Sequence, residues 1–302
     1  MSLSLPAAVV LSFLLLVPQA ASSFKADPPM VCGSCDAWNA PHEPFRIFGN
    51  TWYVGMAGVS SVLITSDAGH ILLDGGLTQS APAIDAHIRQ LGFRTEDVRL
   101  IGASHEHYDH VGGLAALQRF TGAPVAMSPI GLRALAQGLP TDDDPQIGFG
   151  RAVNAFPRVA NLRAAGDGAP LHVGPLAITA HHTPGHTPGA VTWTWRSCEG
   201  THCADIVYVD SLNPIAAPGF RFSGDGARPS QVEAFRRSLD TVAALPCDIV
   251  IAVHPQAADL DGKLKRRAAK PAVDPFVDAN GCRAYADGIR TRLEARVAEE
   301  VR

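Results

Sequence analysis

The chain is poor in lysine, in net charge and in long apolar runs, and each shortage removes a class of function. Only 4 of its 302 residues are Lys, against 21 Arg, and the formal charge is −4. That balance provides no basic field for a phosphate backbone, and the one dense cationic run, Lys263 to Lys270, is short. Nucleic acid is therefore not expected as a partner. Gly 28 and Pro 23 stay below the level of a disordered low-complexity chain, and 46% hydrophobic residues suffice for a folded core. No stretch reaches the roughly 20 apolar residues of a bilayer-spanning helix, so no membrane span is expected. The apolar run that does exist, Ala7 to Val17, is followed by Pro18, Gln19 and the small residues Ala20 to Ser23. That is the pattern of a secretory leader. Residues 1–22 read as a signal peptide, 23–44 as an N-terminal extension and 45–302 as one domain, expected in the periplasm and as a monomer.

Cysteines are few but even in number, six in all, which suits disulfides in an exported chain. Cys198 and Cys203 enclose a short polar stretch between two apolar segments, so a bond there would staple a loop. Cys247 opens an expected strand and Cys282 the last helix; a bond would pin that helix to a sheet. Cys32 and Cys35 remain as a local CxxC pair.

Apolar patterning predicts strands over 52–55, 60–65, 70–73, 98–103 and 124–127, with helices over 81–91 and 114–120 between them. Period and turn chemistry are lost from Thr141 to Arg163, which predicts a long, functional loop. Strands then follow over 176–180, 190–195, 205–209 and 248–253, with helices over 231–245 and 283–301. The expected class is α/β: two similar halves stacked sheet on sheet with helices outside, a four-layer αβ/βα sandwich.

The densest chemistry is Ser104-His105-Glu106-His107-Tyr108-Asp109-His110-Val111-Gly112-Gly113, three imidazoles and a carboxylate within six residues of a strand end. His105 and His107 can turn toward one point, and Asp109 and His110 toward a neighbouring one. Nitrogen and oxygen donors without thiolate suit Zn2+ best among common ions. Two ions need more ligands, and His186, in Thr183-Pro184-Gly185-His186-Thr187-Pro188-Gly189, and His254, directly after the strand ending at Val253, supply them. Five His and one Asp leave three protein ligands per ion and room for water.

These motifs, with Leu73-Asp74-Gly75-Gly76, resemble the metallo-β-lactamase superfamily. Trp193 to Gly200, Tyr208-Val209-Asp210-Ser211-Leu212 and the Cys247/Cys282 pair are similar to class B β-lactamases of subclass 3. The resemblance implies two zinc ions, with His105, His107 and His186 on the first and Asp109, His110 and His254 on the second. It implies hydrolysis of the β-lactam amide of penicillins, cephalosporins and carbapenems by a metal-bound hydroxide, and hence antibiotic resistance. Asp109 would orient the water, and Asp74 would fix the tautomer of a ligand His. Ser211 and Asn213 would bind the substrate carboxylate, although this subclass often has Ser or Thr where Asn213 stands. Gln146, in the long loop, is a candidate substrate wall.

Two other readings fit the same residues. One is a glyoxalase II-like thioesterase or a lactonase, in which Asp210 would bridge the metals. The other is a periplasmic zinc-binding protein without turnover.

Overall fold

The structure, a computed structural model, describes residues 24–301. The expected signal peptide, 1–22, lies outside the described residues.

Strands β1 (Phe45–Phe48), β2 (Thr51–Tyr53), β3 (Val62–Ile64), β4 (His70–Leu73), β5 (Val98–Gly102), β6 (Val125–Met127) and β7 (Leu162–Ala164) form one sheet in sequence order. β1 to β4 are an antiparallel meander, and β4 to β7 run parallel. The second sheet holds β8 (Pro170–Val173), β9 (Leu176–His182), β10 (Val191–Glu199), β11 (His202–Val209) and β12 (Ile249–Ala252) in the order β12-β11-β10-β9-β8. Only its β11–β12 pair is parallel.

Side chains alternate across a strand, so β11 and β12 are divided between two cores. Ile206, Tyr208, Ile249 and Ile251 join the core shared by the two sheets. Val207, Val209, Val250 and Ala252 pack instead with helices Val232–Ala244 and Gly281–Glu300. Those helices bury Phe235, Leu239 and Val242, and Tyr285, Ile289 and Leu293, at spacings of three and four. Each large apolar side chain so buried stabilises the layer by about 1.5–3 kcal/mol. On the other side, helix Ala81–Gln90 buries Ile84 and Ile88, and helix Leu114–Thr121 buries Leu114 and Leu117. The indole of Trp193 crosses the central layer to donate to the Ala103 carbonyl at 3.0 Å. The molecule is thus the expected four-layer αβ/βα sandwich, with halves of unequal size.

Several elements were not expected from the pattern: β1, β7, β8 and helices Pro129–Gln137 and Leu260–Ala268. The stretch from Thr141 to Arg163 is a partly ordered connection, carrying a 3-10 turn at Ile147–Phe149, a short helix at Arg151–Asn154 and the start of β7.

All six cysteines are bonded, as Cys32–Cys35, Cys198–Cys203 and Cys247–Cys282. Cys198 and Cys203 are opposed residues of the β10–β11 ladder, so their bond closes a strand hairpin rather than a free loop. No helix among the described residues is long and apolar enough to cross a membrane.

Candidate metal centre

The segment following β5 bends at Ser104, Glu106 and His107 and then makes one helical turn, Tyr108–Val111, which carries Asp109 and His110. Its return is fixed by backbone contacts: Gly75 N–H donates to the His110 carbonyl at 2.9 Å, and Gly76 bridges to Val111. A Cβ on Gly113 would collide with the Gly75 carbonyl, so glycine is required where these two segments touch.

His105, His107 and His186 bring one nitrogen each to a common point, all three residues being buried. Nδ1 of His107 and Nε2 of His186 are 3.1 Å apart. His110 Nε2, His254 Nε2 and Asp109 Oδ2 form a second group, with separations of 3.3 Å between the two imidazoles and 3.2 and 3.4 Å to the carboxylate. The rings of His105 and His110 join the groups, their centroids 4.2 Å apart.

The outer nitrogens determine what the inner ones offer. His107 Nε2 donates to Asp144, 3.1 Å away, His186 Nδ1 to the Asn213 carbonyl at 2.7 Å, and His254 Nδ1 to the Gly58 carbonyl at 2.9 Å. The inner nitrogens of these rings therefore present lone pairs. Facing each other at 3.1 Å, His107 and His186 can neither donate nor accept between themselves, and Nε2 of His105 is buried without a partner. Such converging, unpartnered acceptors fit a cation, and imidazole with carboxylate suits a divalent first-row ion.

Three of the five imidazoles are held in the neutral state that such a fit needs, while His107 and His110 are raised by their carboxylate neighbours. Burial and the neighbouring imidazoles push His105 well below its ordinary range, and burial with His107 pushes His186 down to about 3. Burial, followed by His110, also lowers His254. All three are neutral at physiological pH and so able to offer a lone pair. Against the cost of burial, His110 and His254 hold the Asp109 carboxyl below the usual carboxylate range, while Asp109 and Asp74 push His110 up to about 10.

Asp74 takes a left-handed backbone conformation, with φ at 57°, and is fully buried. It accepts from the Ser104 N–H at 2.7 Å, the Ser104 hydroxyl at 2.6 Å and the Tyr208 hydroxyl at 2.9 Å. Its distance to His110 Nδ1, 3.6 Å, is beyond hydrogen-bond reach, so its hydrogen bonds hold the start of the metal loop rather than an imidazole. Asp210 Oδ1 lies 2.8 Å from Nδ1 of His105, without hydrogen-bonding alignment and on the side away from the cluster. Burial pushes the Asp210 carboxyl up to about 7. The next side chain, Ser211, faces a cleft that it shares with Asn213 and His254. Gln146 extends its amide nitrogen to 3.5 Å from both His107 Nδ1 and His186 Nε2.

Four contributors escaped the sequence reading. Asp144 is one of three adjacent aspartates, only one of which turns inward; the Gly58 and Asn213 carbonyls belong to the backbone and have no residue-type signature. Glu106 is the fourth: it accepts from the Thr187 hydroxyl at 2.7 Å and the Gly189 N–H at 2.9 Å, tying the two histidine loops together. Burial, with the Asp144 charge nearby, pushes its carboxyl up to about 7.

Residues 54–254 match the family model of the metallo-β-lactamase superfamily. Among solved structures the chain is similar to Rm3 metallo-β-lactamase, with a TM-score of 0.86 and 49% identity over 90% of this chain and 100% of that one. It is also similar to MEM-A1, a subclass B3 metallo-β-lactamase from a soil metagenome library, with a TM-score of 0.83 and 50% identity over 87% and 98% of the two chains. A curated relative, a probable metallo-hydrolase of Burkholderia pseudomallei (strain 1710b), is 32% identical over 174 residues, 56% of this chain and 54% of the relative. The chain spans about half the length of the curated relatives it matches.

Proposed function

The chain belongs to the metallo-β-lactamase superfamily, and from that premise we propose that it hydrolyses the β-lactam amide of penicillins, cephalosporins and carbapenems with two zinc ions bound, conferring antibiotic resistance. The observation that carries this reading is the convergence of two adjacent donor groups, in the first of which His105 Nε2 is buried without a partner and the lone pairs of His107 and His186 face each other. His105, His107 and His186 would hold the first ion, and Asp109, His110 and His254 the second. Zinc, when bound, supplies a Lewis acid and makes a nucleophile of water near neutral pH.

The protein's own residues do the rest. Asp109 accepts a hydrogen bond from the attacking water and so aims it at the lactam carbonyl. Asp144, Asn213 and Gly58 keep the imidazoles in the ligating tautomer through the reaction. Ser211 and Asn213 hold the carboxylate common to these substrates, and Gln146 reaches over the first donor group from the loop side. Placing groups before the reaction avoids reorganisation at the barrier, which is where such sites gain rate.

The rival thioesterase reading needs Asp210 between the metals. Its position behind His105, with Ser211 on the cleft, favours the lactamase. Three disulfides suit an oxidising compartment, in keeping with export to the periplasm by the leader expected over 1–22. A kinetic panel with nitrocefin, meropenem and a glutathione thioester tests the proposal. Zinc-dependent turnover of the two lactams is expected; turnover of the thioester alone, or of nothing, overturns it.

A further inference from the structure

Beside the metal centre a cleft of about 330 Å³ runs outward along the last helix, lined by Ser211, Asn213, His254, Tyr285, Ile289 and Arg292. Tyr285, Ile289 and Arg292 are spaced four and three apart and so share one helix face. The Tyr285 hydroxyl donates to the carbonyls of Ser211 at 2.6 Å and Asp210 at 2.9 Å, fastening this face to the end of β11. The cleft wall therefore has a fixed position relative to Ser211. No carboxylate lines it, and Arg292 is its one permanent charge.

Nearby arginines of the helix are engaged elsewhere. Arg290 pairs with Asp240 at 2.7 Å and Arg296 with Glu300 at 2.9 Å, whereas Arg292 makes no ion pair among the described residues. Its field nevertheless reaches inward. Burial, then Asp210, hold the Tyr285 phenol far above its ordinary range, and Arg292 is the charge that opposes them. The chain itself is negative, with a formal charge of −4, so beyond the cations of the metal centre a local positive charge adds to the attraction for an anionic substrate.

We propose that Arg292 draws the carboxylate of an anionic β-lactam into this cleft, where Ser211 and Asn213 receive it, and that Arg292 thereby sets a preference for anionic over neutral substrates. The assignment rests on the lactamase reading above. A guanidinium offers several donors on a long, mobile stem, so it can meet a carboxylate without fixing the lactam ring, which the metal centre orients. Its contribution falls on capture and not on the bond-breaking step.

The test uses the zinc-loaded full-length mature protein, an anionic penicillin and the methyl ester of the same penicillin. Arg292→Ala should raise KM for the acid by roughly threefold to tenfold, with the change in KM rather than kcat, and leave KM for the ester in place. Arg292→Glu should raise KM for the acid further, Arg292→Lys should restore most of it, and added salt should shrink the difference between wild type and Arg292→Ala. A structural role would move both substrates alike, or lower zinc content. Wild-type turnover with the same acid-to-ester KM ratio in Arg292→Ala overturns this assignment alone. Absence of wild-type turnover overturns the lactamase reading, and the assignment with it.

Discussion

His186 donates its Nδ1 hydrogen to the carbonyl oxygen of Asn213 at 2.7 Å, so the residue expected to meet the substrate also orients a member of the metal cluster. The two tasks use different atoms. Backbone holds the imidazole, and the side-chain amide is left for the cleft.

That division makes Asn213 separable. Ser211→Ala with Asn213→Ala keeps the carbonyl and should retain full zinc content, while KM for anionic lactams rises by a factor corresponding to about 1 kcal/mol per lost donor. Zinc analysis and steady-state kinetics on one preparation check both halves; loss of zinc would assign the end of β11 to the metal shell.

Asp144 acts on His107 through the ring nitrogen remote from the cluster. Asp144→Ala removes that acceptor and leaves the tautomer free, which should weaken metal binding by about 10- to 100-fold. Competition with a chromogenic chelator measures the affinity directly. Equal affinity in wild type and variant would reduce Asp144 to a loop residue.

Stoichiometry separates the two donor groups. A chelator-free preparation should carry two equivalents of zinc by elemental analysis, and His254→Ala should lose mainly the ion held with Asp109 and His110. Simultaneous loss of both ions would show that the groups act as one site.

Cys247 and Cys282 are bonded across a separation of 35 residues, joining β12 to the last helix. Closing a loop of that size should stabilise the fold by about 2–4 kcal/mol, chiefly by restricting the unfolded chain. Denaturant unfolding of Cys247→Ala with Cys282→Ala at fixed zinc should show the deficit. An unchanged midpoint would mean that burial alone holds the helix.

The candidate metal ligands were legible because metal chemistry restricts residue types and strand ends restrict place. His105 to His110 announce themselves by density, His186 by the Pro-Gly loop it occupies beyond a strand, and His254 by following a strand directly. Asp144 was illegible since Asp142, Asp143 and Asp144 look alike in sequence, and only tertiary packing buries the third. The helix Pro129–Gln137 did leave a signal, Ser128 capping the Gly131 N–H with Pro at the first position, but no long apolar period follows it. β7, partly or fully exposed at every residue, has no alternation to read; pairing with β6 holds it in place.

The oxygens that accept from the outer nitrogens of His107, His186 and His254 belong to Asp144, Asn213 and Gly58, three separate stretches of chain. These three acceptors bear part of the cost of ordering the imidazoles. A change that pulls any one of these oxygens away should therefore loosen the hold on a cation while leaving every inner nitrogen chemically intact.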